Sequence, residues 1–227
     1  MFARERELMV EQQLLARGII DFATLNAMRE VPRHLFVPRS QGARSYGNNL
    51  PETYAYEDCA LPIGEGQTIS RPYYVALMIQ AARLRPNACV LEVGTGSGYV
   101  AAVLSRIVAK VYTIERIPVL AEQASARLQF LGYHNVHVSV GDGSLGLAEM
   151  APFDAIIVAA GAPDVPLSLQ QQLAVGGTLL IPVGDAGFQE LVCMTKVSEG
   201  CYTRDVIELV RFVPLIGSEG WYSRLRG

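Results

Sequence analysis

The sequence lacks the segments that would direct a protein to a membrane or to nucleic acid. No continuous apolar run reaches the roughly 18 residues that a membrane span requires. The first residues, MFARERELMVEQ, alternate charged with apolar side chains and form no signal-peptide core. No run of lysine and arginine occurs, and the formal net charge of −3 gives no electrostatic footprint for a polyanion. We therefore expect a soluble, cytoplasmic protein without a nucleic-acid or membrane partner.

Cysteine and histidine are scarce, which disfavours metal and redox chemistry. The four cysteines form no C-x-x-C pair, so the sequence suggests neither a zinc site nor a redox motif, and we interpret them as reduced thiols. Of the three histidines, His134 and His137 have no third ligand close to them in sequence. We interpret both as ordinary surface or partly buried histidines and expect no metal.

The sequence also lacks the G-x-S-x-G motif, which places a nucleophilic serine on a sharp turn. Neither Ser70 nor Ser97 has a glycine two residues before or after it. Since only three histidines are present to act as a base, a serine hydrolase is disfavoured.

The patterns that are present begin with helices. The chain has 227 residues, 50% of them hydrophobic and 18% charged, as is typical of a globular protein. In RERELMVEQQLLARG, Leu8, Leu14 and Leu15 recur at helical spacing, and Gly18 is a natural stop. A second helix is predicted after an N-cap at Asp21.

Between Pro32 and Pro72 the helical periodicity is lost. Residues 38–60 are rich in glycine, proline, asparagine and serine, and we expect a long, mostly irregular connection there. The next run, ALPIGEGQTIS, is glycine-rich and can be neither a good helix nor an uninterrupted strand. The helical pattern resumes at Pro72. We therefore expect residues 1–85 to form helices and a loop that pack on a larger core.

From Ala88 onward, short apolar strands alternate with helical patterns, among them a helix over PLSLQQQLAVGG before the strand TLLIPVG. Such alternation predicts an α/β fold: a doubly wound, mostly parallel, Rossmann-like sheet with helices on both faces. Two later strands, joined at Glu199-Gly200, are expected to be antiparallel near the C-terminus. Residues 86–227 form this core, and with the N-terminal helical extension the chain is effectively one domain.

Three glycines stand where the first of these strands turns into a helix. Gly94, Gly96 and Gly98 allow a sharp turn and the close approach of a ligand to the main chain at the carboxyl edge of the sheet. The dinucleotide fingerprint G-x-G-x-x-G requires a glycine where this chain has Tyr99. The spacing therefore disfavours NAD.

Carboxylates lie at or near the ends of three predicted strands. Glu92 lies just inside the first strand, Glu115 ends the second, and Asp142 ends the third. A carboxylate at a strand end can accept hydrogen bonds from both hydroxyls of a ribose. Gly143 beside Asp142 leaves room for a flat group such as adenine. Together these residues indicate a nucleoside-containing ligand.

These motifs resemble first a broad class of enzymes and then one family within that class. LEVGTGSG, the acid that ends the second strand, and GDG are similar to the class I methyltransferases that bind S-adenosylmethionine. LPIGEGQTISRPYYVALM, preceded by MREVPRHLFVP and followed by FDAIIVAAGAPDVP, GGTLLIPVG and RFVPL, resembles the protein-L-isoaspartate O-methyltransferases. The similarity extends from about Leu14 to Leu215.

The resemblance implies methyl transfer from S-adenosylmethionine, with S-adenosylhomocysteine as product, to the α-carboxyl group of L-isoaspartyl residues in damaged proteins and peptides. The ester then collapses to a succinimide, which starts repair. Ser70 would be the catalytic residue, and residues 1–85 would carry the substrate-side loop. The cofactor-binding residues would be Gln67, Thr68, Ile69, Ser70, Glu92, Gly94, Thr95, Gly96, Ser97, Gly98, Glu115, Asp142 and Gly143. The substrate residues would be Ile63, Gly64, Gly66, Thr68 and Ser70.

Two hypotheses concern the segment before the third helix. Ser70 would position a carboxylate that is already ionised near neutral pH, so no general base is needed; its alternative role is the N-cap of the following helix. Gly64 and Gly66 would remove side chains that obstruct a peptide backbone. The rival functions are a methyltransferase acting on a small-molecule carboxylate and a non-catalytic cofactor-binding module.

Overall fold

The chain builds one large sheet with two small hairpins. A computed structural model describes residues 2–38, 45–46, 50–185 and 187–222. The strands are β1 Ser45–Tyr46, β2 Leu50–Pro51, β3 Leu61–Gly64, β4 Gln67–Ile69, β5 Cys89–Val93, β6 Lys110–Glu115, β7 Val136–Val140, β8 Phe153–Val158, β9 Leu173–Gly184, β10 Gln189–Ser198 and β11 Cys201–Val210. The α-helices are α1 Ala3–Leu8, α2 Phe22–Glu30, α3 Pro72–Ala81, α4 Tyr99–Ser105, α5 Pro118–Phe130 and α6 Leu167–Gln171. Short 3₁₀ helices include Leu15–Arg17, Arg33–Phe36, Glu52–Tyr56 and Gly143–Leu145.

The large sheet has the order β11-β10-β9-β8-β5-β6-β7. The five strands from β9 to β7 in this order are parallel, whereas β10 and β11 are antiparallel and turn at Glu199-Gly200. The prediction of a mostly parallel α/β sheet with antiparallel C-terminal strands is therefore confirmed. All carboxyl ends of the parallel strands meet at one edge, which is where such sheets bind ligands.

Alternate side chains of the central strands serve two separate cores. Val90 and Ile157 point into a cluster shared with α3, α4 and α5, whereas Leu91 and Val158 point into a second cluster shared with α6. Strands that are buried on both faces read as continuous apolar runs. Met9 of the N-terminal extension lies in the first cluster. That the chain is effectively one domain stays a prediction.

The N-terminal helix has a different buried face from the predicted one. After α1 the chain continues through a π-helical turn, Met9–Leu14. Met9, Val10 and Leu14 are buried, whereas Leu8 and Leu15 are 37% and 46% exposed. A π turn holds more residues than an α turn and so rotates the face that follows it. Leu15, which follows the π turn, is therefore rotated away from the buried face, whereas Leu8 precedes the turn in a helix that buries none of its residues.

Two further boundaries were tested by the structure. The Asp21 carboxylate accepts a hydrogen bond from Thr24 N at 2.8 Å, so the predicted N-cap of α2 is confirmed. The predicted helix over PLSLQQQLAVGG is too long, because α6 ends at Gln171 and β9 begins at Leu173. Val175 and the glycines after it are poor helix formers, and this segment lies next to β8 instead.

The glycine-rich run ALPIGEGQTIS forms a hairpin of β3 and β4. Leu61 lies opposite Ile69, and the turn passes through Gly64, Glu65 and Gly66, all at positive φ. Residues 39–44 and 47–49 of the predicted irregular connection lie outside the described residues. Within the described part of the chain, no helix has the length and apolarity to cross a membrane.

Candidate active site

A cavity lies at the carboxyl edge of the sheet, between the glycine loop after β5 and the end of the β3–β4 hairpin. It encloses about 720 Å³ of empty space, including its open mouth. We call it the cofactor cavity. All predicted cofactor residues except Gly98 and Asp142 line it: Gln67, Thr68, Ile69, Ser70, Glu92, Gly94, Thr95, Gly96, Ser97, Glu115 and Gly143.

The glycine loop is tied to the next strand by a carboxylate. Glu115, at the end of β6, is 6% exposed. Its Oε2 accepts from Gly96 N at 2.9 Å, and its Oε1 accepts from Ile117 N at 3.0 Å. These bonds fix the orientation of the carboxylate, and each oxygen keeps a second lone pair for a ligand hydroxyl.

Glu92 is the most unusual charged group of the cavity. Its Oε2 accepts from Thr113 Oγ1 at 2.6 Å, and Thr113 Oγ1 lies 2.6 Å from Thr95 Oγ1. Its Oε1 has no hydrogen-bond partner among the described residues, although the side chain is fully buried. Burial raises the pKa of Glu92 to about 8, against the lowering effect of the Thr113 hydrogen bond. A cationic ligand group would satisfy this oxygen and favour the ionised carboxylate.

The Asp142 side chain is used by the protein itself. Its Oδ1 accepts from Ser144 N and Ser144 Oγ at 3.0 and 2.6 Å, and its Oδ2 accepts from Ser218 N at 2.7 Å. Burial alone would raise the pKa of Asp142, but these hydrogen bonds outweigh it and lower the pKa. Asp142 therefore holds the C-terminal segment beside the cavity, and its predicted contact with the cofactor stays a prediction.

Two glycines of the loops serve close packing. A Cβ at Gly143 would lie 2.6 Å from Val93 Cγ1, so only glycine lets this loop approach β5. A Cβ at Gly98 would lie 3.1 Å from Leu128 Cδ1, so Gly98 lets α4 pack against α5. Gly143 lines the cavity and Gly98 does not.

Ser70 lies where two cavities meet. It lines the cofactor cavity and also a second cavity, of about 900 Å³ with its mouth, that is bounded by Tyr74, Arg211 and Phe212. Thr68 lines both cavities as well. A group that enters from the second cavity can thus reach the cofactor cavity beside the Ser70 side chain.

The alternative role of Ser70 as a helix N-cap was wrong. Arg71 occupies the N-cap position of α3 and makes no side-chain cap. The orphan N–H of Tyr73 instead donates to Asp58 Oδ1 at 3.0 Å. Asp58 Oδ2 also accepts from Arg71 Nη2 at 2.7 Å. The helix start is therefore satisfied without Ser70.

The predicted substrate residues lie along the hairpin. Ile63 is 4% exposed, and its Cδ1 would lie 3.1 Å from a Cβ placed on Gly96, so it packs over the glycine loop. At Gly64 and Gly66, with φ of +96° and +69°, a Cβ would have no other atom within 4 Å. The turn alone requires glycine there, and clearance for a peptide stays a prediction.

Sequence reasoning missed Arg33. This fully buried arginine donates from Nε to Ala55 O at 2.8 Å and from Nη2 to Ser70 O at 2.8 Å. Its guanidinium carbon lies 4.8 Å from the centroid of the Tyr99 ring. Burial lowers the pKa of Arg33. A single arginine ordinarily indicates a surface position, so the motif VPRHLF alone did not indicate that Arg33 is buried.

Sequence reasoning also missed the wall formed by Val213–Ile216. Gly161 N donates to Val213 O and Leu215 N donates to Gly161 O, both at 2.7 Å. The buried Gln189 accepts from Phe212 N at 2.9 Å and so holds the start of this segment. Val213 and Pro214 line both cavities, whereas Leu215 and Ile216 line the cofactor cavity. Its sequence signal, VPL after the last strand, resembles any extended segment.

The parallel sheet, its glycine loop and the acids at its carboxyl edge define a class I S-adenosylmethionine-dependent methyltransferase. The chain belongs to the protein-L-isoaspartate(D-aspartate) O-methyltransferase family, whose model matches residues 4–220. The family resemblance stated from the sequence is confirmed.

Relatives and solved structures agree with this membership. The chain is 54% identical to protein-L-isoaspartate O-methyltransferase 1 of Geotalea uraniireducens over 96% of each chain. It is 53% identical to the enzyme of that name from Pelotomaculum thermopropionicum, over 97% of this chain and 92% of the other.

Among solved structures, one protein-L-isoaspartate O-methyltransferase matches with a TM-score of 0.80 and 28% identity, over 95% of this chain and 67% of that chain. A putative family member from Plasmodium falciparum, solved in complex with S-adenosyl-L-homocysteine, matches with a TM-score of 0.77 and 26% identity, over 93% and 98%.

Proposed function

We propose that this protein transfers a methyl group from S-adenosylmethionine to the α-carboxyl group of L-isoaspartyl residues in damaged proteins and peptides. The observation that carries the proposal is the position of Ser70, in the wall shared by the cofactor cavity and the second cavity. The names of the closely similar relatives support the same reaction.

The residues of the cofactor cavity fit the proposed cofactor. Glu92 lines the cavity and has a buried carboxylate oxygen without a partner among the described residues, which suits a ligand with positive centres. S-Adenosylmethionine carries an ammonium and a sulfonium, and when bound it supplies an electrophilic methyl group and leaves as S-adenosylhomocysteine. Gly143 lines the cavity without a side chain of its own, which leaves room for a flat ring.

Each part of the cavity then has a role. The loop from Gly94 to Ser97 borders the methionine part, and Glu115 accepts hydrogen bonds from the ribose hydroxyls while it holds Gly96 N. Gly143 borders the adenine. Asp142 lies beside Gly143 on the adenine side, and its bonds to Ser144 and Ser218 fix its carboxylate there.

Ser70 positions the substrate and does not attack it. The isoaspartyl carboxylate is ionised near neutral pH, so it is already nucleophilic. What remains is to hold one of its oxygens about 3 to 3.5 Å from the methyl carbon in a site that excludes water. The Ser70 hydroxyl is not needed to cap α3, because Asp58 caps that helix. The methyl ester then collapses to a succinimide, which can reopen as aspartate.

We also propose that the enzyme acts in the cytoplasm, on isoaspartyl proteins and peptides, without a nucleic-acid or membrane partner. The net charge of −3 supports the lack of a polyanionic partner. The four cysteines are free thiols, as is usual in a reducing compartment.

The test uses a radiolabelled methyl donor with an isoaspartyl peptide and, separately, a small dicarboxylic acid. We expect base-labile label on the peptide, since methyl esters hydrolyse in base. Label on the small acid alone would favour the small-molecule methyltransferase. Binding of S-adenosylhomocysteine without label on either compound would favour the non-catalytic module.

A further inference from the structure

The second cavity has an aromatic wall and two arginines at its rim. The rings of Tyr74 and Phe212 lie with their centroids 6.0 Å apart, and Arg71 and Arg211 line the same cavity. Because this cavity adjoins Ser70, whatever flanks the reacting carboxylate must lie here. The charge of its rim therefore bears on which peptides are preferred.

Of the two arginines, Arg71 is already engaged by the protein. Its Nη2 donates to Asp58 Oδ2 at 2.7 Å and its Nε donates to Asp58 O at 3.1 Å. Its guanidinium carbon also lies 5.1 Å from the centroid of the Tyr74 ring. These contacts hold the Arg71 side chain against the protein, and Asp58 Oδ2 is shared between Arg71 and Arg17.

Arg211 is different, because it has no hydrogen bond or ion pair with any residue that the structure describes, and its side chain is exposed. Glu208, the nearest acidic residue before Arg211 in sequence, instead accepts a hydrogen bond from Tyr73 Oη at 3.3 Å. Arg211 thus gives the rim of the second cavity an uncompensated positive charge, with five donors suited to a carboxylate.

We propose that Arg211 pairs with an acidic side chain within two residues of the isoaspartyl residue, so that the second cavity selects acidic isoaspartyl peptides. This inference rests on the proposed function. An ion pair at a partly exposed site is worth enough to change KM by about two- to fivefold. The effect falls on KM, because the pair forms away from the methyl group that is transferred.

The experiment compares isoaspartyl peptides that carry Glu, Gln or Lys at one position, scanned over two residues on either side. Wild-type enzyme is expected to show a KM about two- to fivefold lower for Glu than for Gln at one or more positions, and a higher KM for Lys. The preference should shrink toward unity near 1 M salt, where the screening length is about 3 Å. For the Arg211→Gln variant, the ratio of KM for the Glu peptide to KM for the Gln peptide should be close to one.

Arg204→Gln is the matched control. Arg204 lies on β11 at 3.7 Å from Glu190 and does not line the second cavity, so its loss changes the net charge equally but should leave the preference intact.

Equal KM values for Glu and Gln peptides at every position would overturn the inference. So would an equal loss for all peptides in Arg211→Gln, because Arg211 would then bind the isoaspartyl carboxylate itself. Absence of methylation of every peptide would instead overturn the proposed function, and this inference with it.

Discussion

The guanidinium of Arg33 donates a hydrogen bond to the main-chain carbonyl of Ser70, with 2.8 Å between Nη2 and O. The same buried group donates to Ala55 O. Arg33 thus joins the 3₁₀ helix that follows α2 to the end of the β3–β4 hairpin, where the two cavities meet. A residue 37 positions earlier in the chain thus fixes the main chain of Ser70, the residue proposed to orient the substrate.

Arg33→Lys should therefore impair turnover more than cofactor binding. Lysine keeps the charge but cannot donate in two fixed directions at once. We expect kcat to fall by about tenfold or more, since small misplacements of the substrate are costly, and unfolding free energy to fall by about 1–3 kcal/mol. The dissociation constant of S-adenosylhomocysteine, measured by calorimetry, should change by less than about threefold. A loss of kcat that only matches the unfolded fraction would show a purely structural role.

Ser70→Ala should lower activity without lowering stability. One hydrogen bond to a charged carboxylate is lost, which corresponds to a decrease in kcat of about tenfold. Unfolding free energy should change by less than about 0.5 kcal/mol, because Asp58 and not Ser70 caps α3.

Asp58→Asn is the reciprocal control for Ser70→Ala. It weakens the cap and the ion pairs with Arg17 and Arg71, so it should reduce stability in urea unfolding.

Retention of more than about a third of the activity by folded Ser70→Ala would contradict the positioning role.

The buried carboxyl of Glu92 makes the free protein less stable as pH rises. Its pKa is raised from 4.5 to about 8 by burial, so the folded state holds a proton that the unfolded state releases. The stabilising effect of this proton is complete below pH 4.5 and is lost as pH rises toward 8. Urea unfolding between pH 5 and 8 should show a decrease of about 1 kcal/mol per pH unit.

Glu92→Gln should remove this pH dependence, because its amide does not titrate. Glu122→Gln, which alters an exposed carboxylate on α5, should keep the wild-type slope. Parallel stability curves for wild type and Glu92→Gln would show that Glu92 is already ionised in the free protein.

Gly66→Asn separates the turn from the clearance of substrate. Asparagine tolerates the positive φ of +69° at this position better than other side chains, so unfolding free energy should change by less than about 1 kcal/mol. If a peptide passes over the hairpin, the added side chain should raise KM for an isoaspartyl peptide by about tenfold. Unchanged steady-state constants would assign Gly66 to the turn alone.

The parts of the fold that depend on neighbouring residues were predictable. Strand β6 was expected to end at Glu115 and does so, because the apolar run stops there. The turn at Glu199-Gly200 and the cap at Asp21 each depend on residues within four positions of one another. The same holds for the glycine loop, whose spacing is local.

The features that were not predicted from the sequence depend on distant residues or on which face of a helix is buried. The hydrogen bond from Ser218 N to the Asp142 carboxylate joins residues that are 76 apart in sequence, and the role of Asp142 at the cofactor stays a prediction. Arg33 reaches Ser70 across 37 residues. The π turn after α1 rotates Leu15 away from the core. None of these follows from periodicity, since each is decided by tertiary packing.

We propose that the site at Ser70 presents an α-carboxylate to the methyl donor only when the residue is L-isoaspartyl. The direct measurement is the initial rate of base-labile methyl incorporation into two peptides that are identical except for an aspartyl or L-isoaspartyl linkage, at saturating S-adenosylmethionine. We expect incorporation into the isoaspartyl peptide alone, followed by loss of the ester to the succinimide. Equal incorporation into both peptides, or incorporation into the aspartyl peptide alone, would contradict the account.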